Sequence, residues 1–258
     1  MSDLHTYPLL TVFLVGLGMI LIATEIGRRL GLRVSDADDS QLTTLEAAII
    51  GLLALIIGFT FSMALTRFDS RRDAVMEEAN AIGTAALRAR LLPAPHDRQS
   101  LEFLRDYVDG RLELTRRAVT RDDLDKMIIR SNDLQEALWQ QAMAIAATDK
   151  GMVPTGLFVQ ALNYMIDSQG ERLSAARNHV PDVVIMALFV VAAFASAFSG
   201  YCRSVLGKRS MLQIYLVALL ISGVILLILD LDRPSVGFIE ISQQPMIDTA
   251  ASIESYLK

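Results

Sequence analysis

Four long stretches of this sequence contain no Asp, Glu, Lys or Arg, and they constrain the fold more than any other feature. They are residues 6–24, 47–66, 183–202 and 210–229, each 19 or 20 residues long. An α-helix rises about 1.5 Å per residue, so roughly 20 residues cross a hydrocarbon core of about 30 Å. The pattern therefore predicts four transmembrane helices. Buried core helices of a soluble protein are disfavoured, because such helices seldom stay uncharged on every face.

The first stretch is interpreted as a retained helix rather than as a cleaved signal peptide. A signal peptide starts with basic residues, whereas residues 1–8 contain no Lys or Arg. Glu25, Arg28 and Arg29 follow the stretch and indicate a polar interface. We expect Glu25 to form a simple ion pair with these arginines, and Glu46, at the edge of the second stretch, to lie near the interface as well.

The stretches are arranged as two pairs, which divides the chain into four regions. Residues 1–66 contain the first transmembrane pair, and residues 182–230 contain the second. Between them, residues 67–181 carry apolar side chains at helical spacing, which predicts amphipathic helices. Residues 231–258 form a C-terminal tail without a predicted element. The fold class is therefore an all-α integral membrane protein, with four transmembrane helices in two pairs flanking a helical extramembrane bundle.

The second stretch passes into charged sequence without a helix breaker. Arg67 follows it directly. After Thr66, the first glycine is Gly83, and the first prolines are Pro93 and Pro95. Proline ends a helix because it lacks the amide hydrogen and clashes with the preceding turn. We therefore expect the second transmembrane helix to continue beyond the bilayer as an amphipathic helix of the bundle. Arg67 would lie at the interface, with its stem in lipid and its head in water.

Basic residues near the membrane ends favour, by a small margin, termini outside the cell. The positive-inside rule assigns basic loops to the cytoplasm. Both short loops between paired helices are basic, with Arg28, Arg29 and Arg33 in the first and Arg203, Lys208 and Arg209 in the second. Arginines on the other side of the membrane nearly balance this count. They are Arg67, Arg71, Arg72, Arg172 and Arg177.

One face of the predicted second helix carries small residues that give way to polar ones. The face comprises, at spacings of three or four, Ala47, Gly51, Ala54, Gly58, Ser62, Thr66, Asp69, Asp73, Glu77 and Asn80. Small residues let helices approach closely in lipid, so one interpretation is packing within the chain. The other is a face shared between subunits or lining a water-filled path, because the stripe becomes acidic as it leaves the membrane. The solvent-exposed face of a helical stalk would show the same pattern. Ala192, Ser196 and Gly200 form a similar small face on the third helix.

Two charge clusters lie at membrane ends. Arg67, Arg71 and Arg72 follow the second stretch, and Asp230, Asp232 and Arg233 follow the fourth, directly before Pro234. The simpler interpretation of the second cluster is an interfacial cap of the fourth helix. The alternative is a docking site for the arginines of the second helix.

The sequence favours neither an enzyme nor a nucleic-acid-binding protein. The net charge is -5, without a basic stripe. Cys202 is the single cysteine, and metal sites require clusters, so we expect no metal and no cofactor. There is no phosphate-binding Gly-Lys loop and no nucleophile elbow. Glu77 and Glu78 are adjacent and point apart on a helix, which makes them poor partners for acid–base chemistry.

Three segments together resemble the bestrophin-like family of uncharacterised bacterial membrane proteins. They are GFTFSMALTRFDSRR at residues 58–72, EEAN at residues 77–80, and the DRP, GFI and SQQP elements within residues 232–245. The family is distantly similar to bestrophins, which are pentameric ion channels with a pore lined largely by the second helix. The resemblance implies a homo-pentamer in the lipid bilayer that conducts inorganic ions. It also implies termini and a soluble domain in the cytoplasm, opposite to the orientation that the charges favour.

The functional hypothesis is an oligomeric ion channel whose path is lined by the second helix. The path would begin at Gly51, Ala54, Gly58 and Ser62 and continue to Thr66, Asp69, Asp73 and Glu77. A carboxylate lining favours cations, whereas Arg67, Arg71 and Arg72 would reverse the selectivity if they faced the lumen. The alternative is a membrane-anchored interaction or sensory module without a pore.

Overall fold

The computed structural model describes residues 7–34, 39–116, 121–148, 153–207, 212–233 and 237–258. Helices account for most of these residues, and no strand occurs among them. The helices are α1 (Leu9–Gly31), α2 (Asp39–Ala89), α3 (His96–Arg116), α4 (Arg121–Ala146), α5 (Val153–Arg177), α6 (Asp182–Val205), α7 (Leu212–Leu231) and α8 (Gln244–Leu257). Within this described part, four helices are long and apolar enough to cross a membrane. The predicted all-α membrane fold class is confirmed.

The described residues form two compact units. The membrane unit contains the residues up to Phe68, those from His179 to Arg233, and Gly237–Ile239. The bundle unit contains the residues from Asp69 to Asn178 and from Glu240 onward. The helix α2 is unbroken from Asp39 to Ala89, so the predicted continuation of the second transmembrane helix is confirmed.

In the membrane unit, α1 and α6 run side by side in the same direction. Residues later in α1 contact residues later in α6, since Gly16 lies against Phe189 and Gly31 lies against Tyr201. The interior is apolar and includes Ile20, Leu188 and Ile225. Because α1 and α6 are parallel, their C-terminal ends lie at the same end of this unit.

In the bundle unit, α3, α4, α5 and the C-terminal part of α2 surround an apolar core that includes Ile82, Leu104 and Phe158. The helix α8 also belongs to this unit, and its Met246 and Ile253 are fully buried in the core. The sequence pattern of the tail predicts no element there. A helix of 14 residues with two buried side chains has too short an apolar pattern to be recognised from the sequence.

Candidate functional site

In the membrane unit, α2 buries one narrow side and exposes the other. Leu53, Thr60 and Ala64 are buried, at spacings of seven and four that place them on one side of the helix. By the same periodicity, the predicted small-residue stripe lies roughly opposite. All of its members in this unit are exposed, namely Ala47, Gly51, Ala54, Gly58, Ser62 and Thr66. The helix therefore packs through one side and presents the stripe on the other.

The stripe on α2 and the small face on α6 have different surroundings. A β-carbon placed on Gly51 or Gly58 meets no atom of the described residues within 4 Å. By contrast, a β-carbon on Gly200 comes within 2.4 Å of the Thr24 carbonyl oxygen of α1. Packing within the chain is thus confirmed for the α6 face, which also contains buried Ala192 and Ser196. At the glycines of α2 the same interpretation has no support.

In the bundle unit, α2 continues the stripe with acidic side chains. Asp69 and Asp73 are exposed. Glu77 is partly exposed and accepts a hydrogen bond from the Tyr164 hydroxyl, a bond that raises the pKa of this tyrosine. Arg71, at 3% exposure, lies on the buried side of the same helix. The exposed face of α2 is therefore acidic beyond Thr66.

The other two predicted interfacial arginines occupy different positions. Arg67 is half-buried, and by helical periodicity it falls on the side of Thr60 and Ala64. Arg72 is exposed, directly before Asp73. The cluster of arginines is thus distributed around the helix, with two of its three members on the buried side.

The acidic cluster at the end of α7 binds backbone amides. The carboxylate of Asp230 accepts hydrogen bonds from the amides of Phe238 at 2.8 Å and Ile239 at 3.0 Å. A β-carbon on Gly237 would come within 2.2 Å of Oδ1 of Asp230, so a side chain at this position would displace the carboxylate. Asp230 therefore holds the segment 237–239 against the end of α7.

Asp232 and Arg233 link α7 to the starts of two other helices. Both carboxylate oxygens of Asp232 accept from the Val180 amide at 3.0 Å, two residues before α6 begins. Nη2 of Arg233 donates to the Tyr7 carbonyl at 2.7 Å, just before α1. These contacts hold the end of α7 against the starts of α6 and α1 and do not cap the carbonyl end of α7, so the interpretation as a cap of this helix stays a prediction. Docking of the α2 arginines there stays a prediction.

The predicted ion pair of Glu25 with Arg28 and Arg29 is confirmed. Its carboxylate lies 2.6 Å from Nη2 of Arg28 and 2.8 Å from Nε of Arg29. Glu46 lines a small cavity of about 160 Å³ that also includes Ser196, Ser199 and Arg203. No group of three His, Cys, Asp or Glu side chains with metal-binding geometry occurs among the described residues.

The bundle unit contains a charge cluster around Glu78 that no sequence pattern predicted; we call it the Glu78 cluster. Glu78 is fully buried and lies 2.9 Å from Nε of Arg111 and 2.6 Å from Nη1 of Arg172. The Tyr107 hydroxyl lies 3.0 Å from Glu78 and 2.7 Å from Gln169. The partners of Glu78 are 29 to 94 residues away in the chain, so no local pattern reveals the cluster.

Burial changes the proton affinities in the Glu78 cluster. Burial raises the pKa of the Tyr107 hydroxyl far above its usual range, and the neighbouring Glu78 carboxylate adds to this effect. Burial lowers the pKa of Arg172. One carboxylate here faces two guanidinium groups, so removal of the carboxylate would leave the buried Arg111 and the partly buried Arg172 without their acidic partner.

Comparison with known proteins agrees with this architecture. The family model described as Bestrophin-like domain matches residues 12–246. No curated protein matches the chain. A bacterial Bestrophin homolog from Klebsiella pneumoniae, solved with a single substitution, is 16% identical over 97% of each chain, with a TM-score of 0.68. Another structure of a bacterial Bestrophin homolog from this organism is 18% identical over 97% of each chain, with a TM-score of 0.64. These structures share the fold of the chain.

Proposed function

Since the chain belongs to the Bestrophin-like family, we propose that it forms a homo-oligomeric ion channel in the cell membrane, with the exposed stripe of α2 lining the ion path. The pentameric state that the family resemblance implies is part of this proposal. The observation that carries it is the open space at Gly51 and Gly58, on a face that becomes acidic at Asp69 and Asp73. The proposal assigns no catalytic step to the chain.

Small side chains suit a path between symmetry-related helices. When several copies of α2 surround an axis, small residues keep the lumen open and let the backbones approach. The hydroxyl groups of Ser62 and Thr66 then offer oxygen atoms to a partly dehydrated ion. The large apolar residues beside the stripe, such as Leu52 and Phe59, are exposed as well and are available for contact with lipid or a neighbouring subunit.

The positions of the charges support a preference for cations. Asp69 and Asp73 are exposed, whereas Arg71 is buried on the other side of the helix and Arg67 is half-buried. A ring of carboxylates, one from each subunit, attracts cations and repels anions. Arg72 is the one exposed arginine of the three, and its neighbour Asp73 offsets its charge.

Electrical recording of the purified protein tests the proposal. The protein is reconstituted in a planar bilayer, and its oligomeric mass is measured in the same detergent. Gly58→Leu is expected to lower the unitary conductance, because it fills the path. Gly223→Leu is the matched control, since Gly223 is exposed on α7, a β-carbon placed on it meets no atom of the described residues within 4 Å, and it lies outside the proposed path.

Selectivity is measured on the same preparation. Asp73→Asn is expected to lower the permeability ratio of cations to anions, whereas Asp133→Asn, an exposed acid of α4, leaves the ratio unchanged. Currents from an oligomer that Gly58→Leu leaves unaltered would contradict the assignment of α2. A monomer without currents would contradict the channel itself and favour a membrane-anchored interaction or sensory module.

A further inference from the structure

A groove of about 810 Å³ opens between α1 and α7 in the membrane unit. Its walls are apolar and include Leu21 of α1 and Leu219 of α7. One end carries Glu25, Arg29 and Tyr215. The groove therefore combines an apolar length with a charged and aromatic end, which is the gradient that a bilayer shows from its hydrocarbon core to its headgroups.

The guanidinium group of Arg29 is held at its Nε edge by Glu25. Nε of Arg29 donates a hydrogen bond to Glu25 at 2.8 Å. Nε and Nη2 of Arg28 also donate to Glu25, at 2.6 Å each. In the described part of the chain, the Nη atoms of Arg29 have no partner, and this side chain is 71% exposed. A guanidinium group binds phosphate through paired N–H groups, and these two nitrogens remain available for that purpose.

We propose that this groove binds one anionic phospholipid, with an acyl chain along Leu21 and Leu219 and the phosphate at Arg29. Two arginines against one glutamate leave an excess positive charge at the groove end, and basic pockets between transmembrane helices favour acidic headgroups. Tyr215 suits the headgroup level, where its ring contacts apolar groups and its hydroxyl contacts water. A second copy of the chain would have to bring an apolar ridge and an acidic group to this groove together, whereas a phospholipid carries both.

A tryptophan reporter tests which molecule occupies the groove. Trp139 is the single tryptophan, so Trp139→Phe gives a protein without tryptophan fluorescence. Leu219→Trp then places the reporter in the groove, and Leu220→Trp places it on the same helix outside the groove lining. The proteins are reconstituted in phosphatidylcholine vesicles that contain increasing fractions of brominated phosphatidylglycerol or brominated phosphatidylcholine.

We expect half-maximal quenching of the Leu219→Trp reporter at an about fivefold lower fraction of brominated phosphatidylglycerol than of brominated phosphatidylcholine. The Leu220→Trp reporter is expected to show equal quenching by both lipids. Adding Arg29→Gln abolishes the preference, whereas Arg33→Gln, the same charge change at the same end, retains it. Thermal unfolding in detergent establishes that each variant is folded.

Three results would overturn the proposal. Equal quenching of the Leu219→Trp reporter by both lipids would show an unselective lipid surface. A preference that survives Arg29→Gln would place the headgroup elsewhere. No quenching of Leu219→Trp by either lipid would show that a neighbouring subunit covers the groove.

Discussion

Gly27 of α1 lies directly against the backbone of Ala197 of α6. A β-carbon placed on Gly27 would come within 1.8 Å of the Ala197 carbonyl oxygen and 2.6 Å of its carbonyl carbon. The obstacle is backbone, which cannot rotate away as a flexible side chain would. The parallel pair α1 and α6 therefore depends on the absence of a side chain at this position.

The first prediction follows from this contact. Gly27→Ala is expected to destabilise the protein by about 1–3 kcal/mol, because α1 and α6 must move apart. A β-carbon placed on Gly18 of the same helix meets no atom of the described residues within 4 Å, so Gly18→Ala is expected to be neutral or to stabilise by up to about 1 kcal/mol. Thermal unfolding in detergent measures both. Equal unfolding temperatures for wild type and Gly27→Ala would contradict the close approach.

The second prediction concerns the buried charges of the bundle unit. Glu78→Gln keeps the shape of the side chain but removes the negative charge that faces Arg111 and Arg172. We expect a loss of about 3–5 kcal/mol in the free energy of unfolding. Glu77→Gln, one residue earlier and partly exposed, is expected to cost less than about 1 kcal/mol.

A double variant separates charge from packing in this cluster. If unpaired charge causes the loss of stability, the double variant Glu78→Gln with Arg111→Met is expected to be more stable than Glu78→Gln alone, because one unpaired positive charge is then removed. The measurement is chemical denaturation followed by circular dichroism. No recovery in the double variant would indicate that shape rather than charge sets the cost.

The third prediction is a loss of stability at alkaline pH. The pKa of Tyr107 is raised in the folded protein, so the folded state retains this proton when the unfolded state releases it. Stability from this group is therefore complete below about pH 10, the ordinary tyrosine pKa, and falls as the pH rises above it. Denaturation midpoints between pH 8 and 11 are expected to decline less steeply in Tyr107→Phe. Identical slopes in the two proteins would contradict the assignment.

The fourth prediction concerns the segment held by Asp230. Asp230→Ala removes the acceptor of the Phe238 and Ile239 amides. A hydrogen bond to a charged group contributes about 1.5–3 kcal/mol, so hydrogen exchange of both amides is expected to accelerate about ten- to hundredfold. Gly237→Ala is expected to act in the same direction, since its β-carbon would displace the carboxylate. Asp248→Ala, an exposed acid of α8, should leave these two amides unchanged.

Some features were predictable because their signals are local. Four uncharged stretches predicted the four apolar helices, and the absence of a breaker after Thr66 predicted the continuity of α2. The ion pair of Glu25 was predictable because Arg28 and Arg29 lie within one helical turn. The Glu78 cluster was not, because its partners come from distant helices, and α8 was missed because two buried side chains give only a weak pattern.

The sequence by itself determined the class of the protein, since about 20 uncharged residues in a row have few stable environments other than a bilayer. It also determined which residues share a helical face, because the period of the α-helix is constant. Only the tertiary structure decided what each face meets. The small faces of α2 and α6 look alike in sequence, yet Gly200 lies against the backbone of α1, whereas a β-carbon on Gly58 meets none of the described residues within 4 Å. Periodicity groups side chains on one helix, whereas contact depends on how separate helices pack.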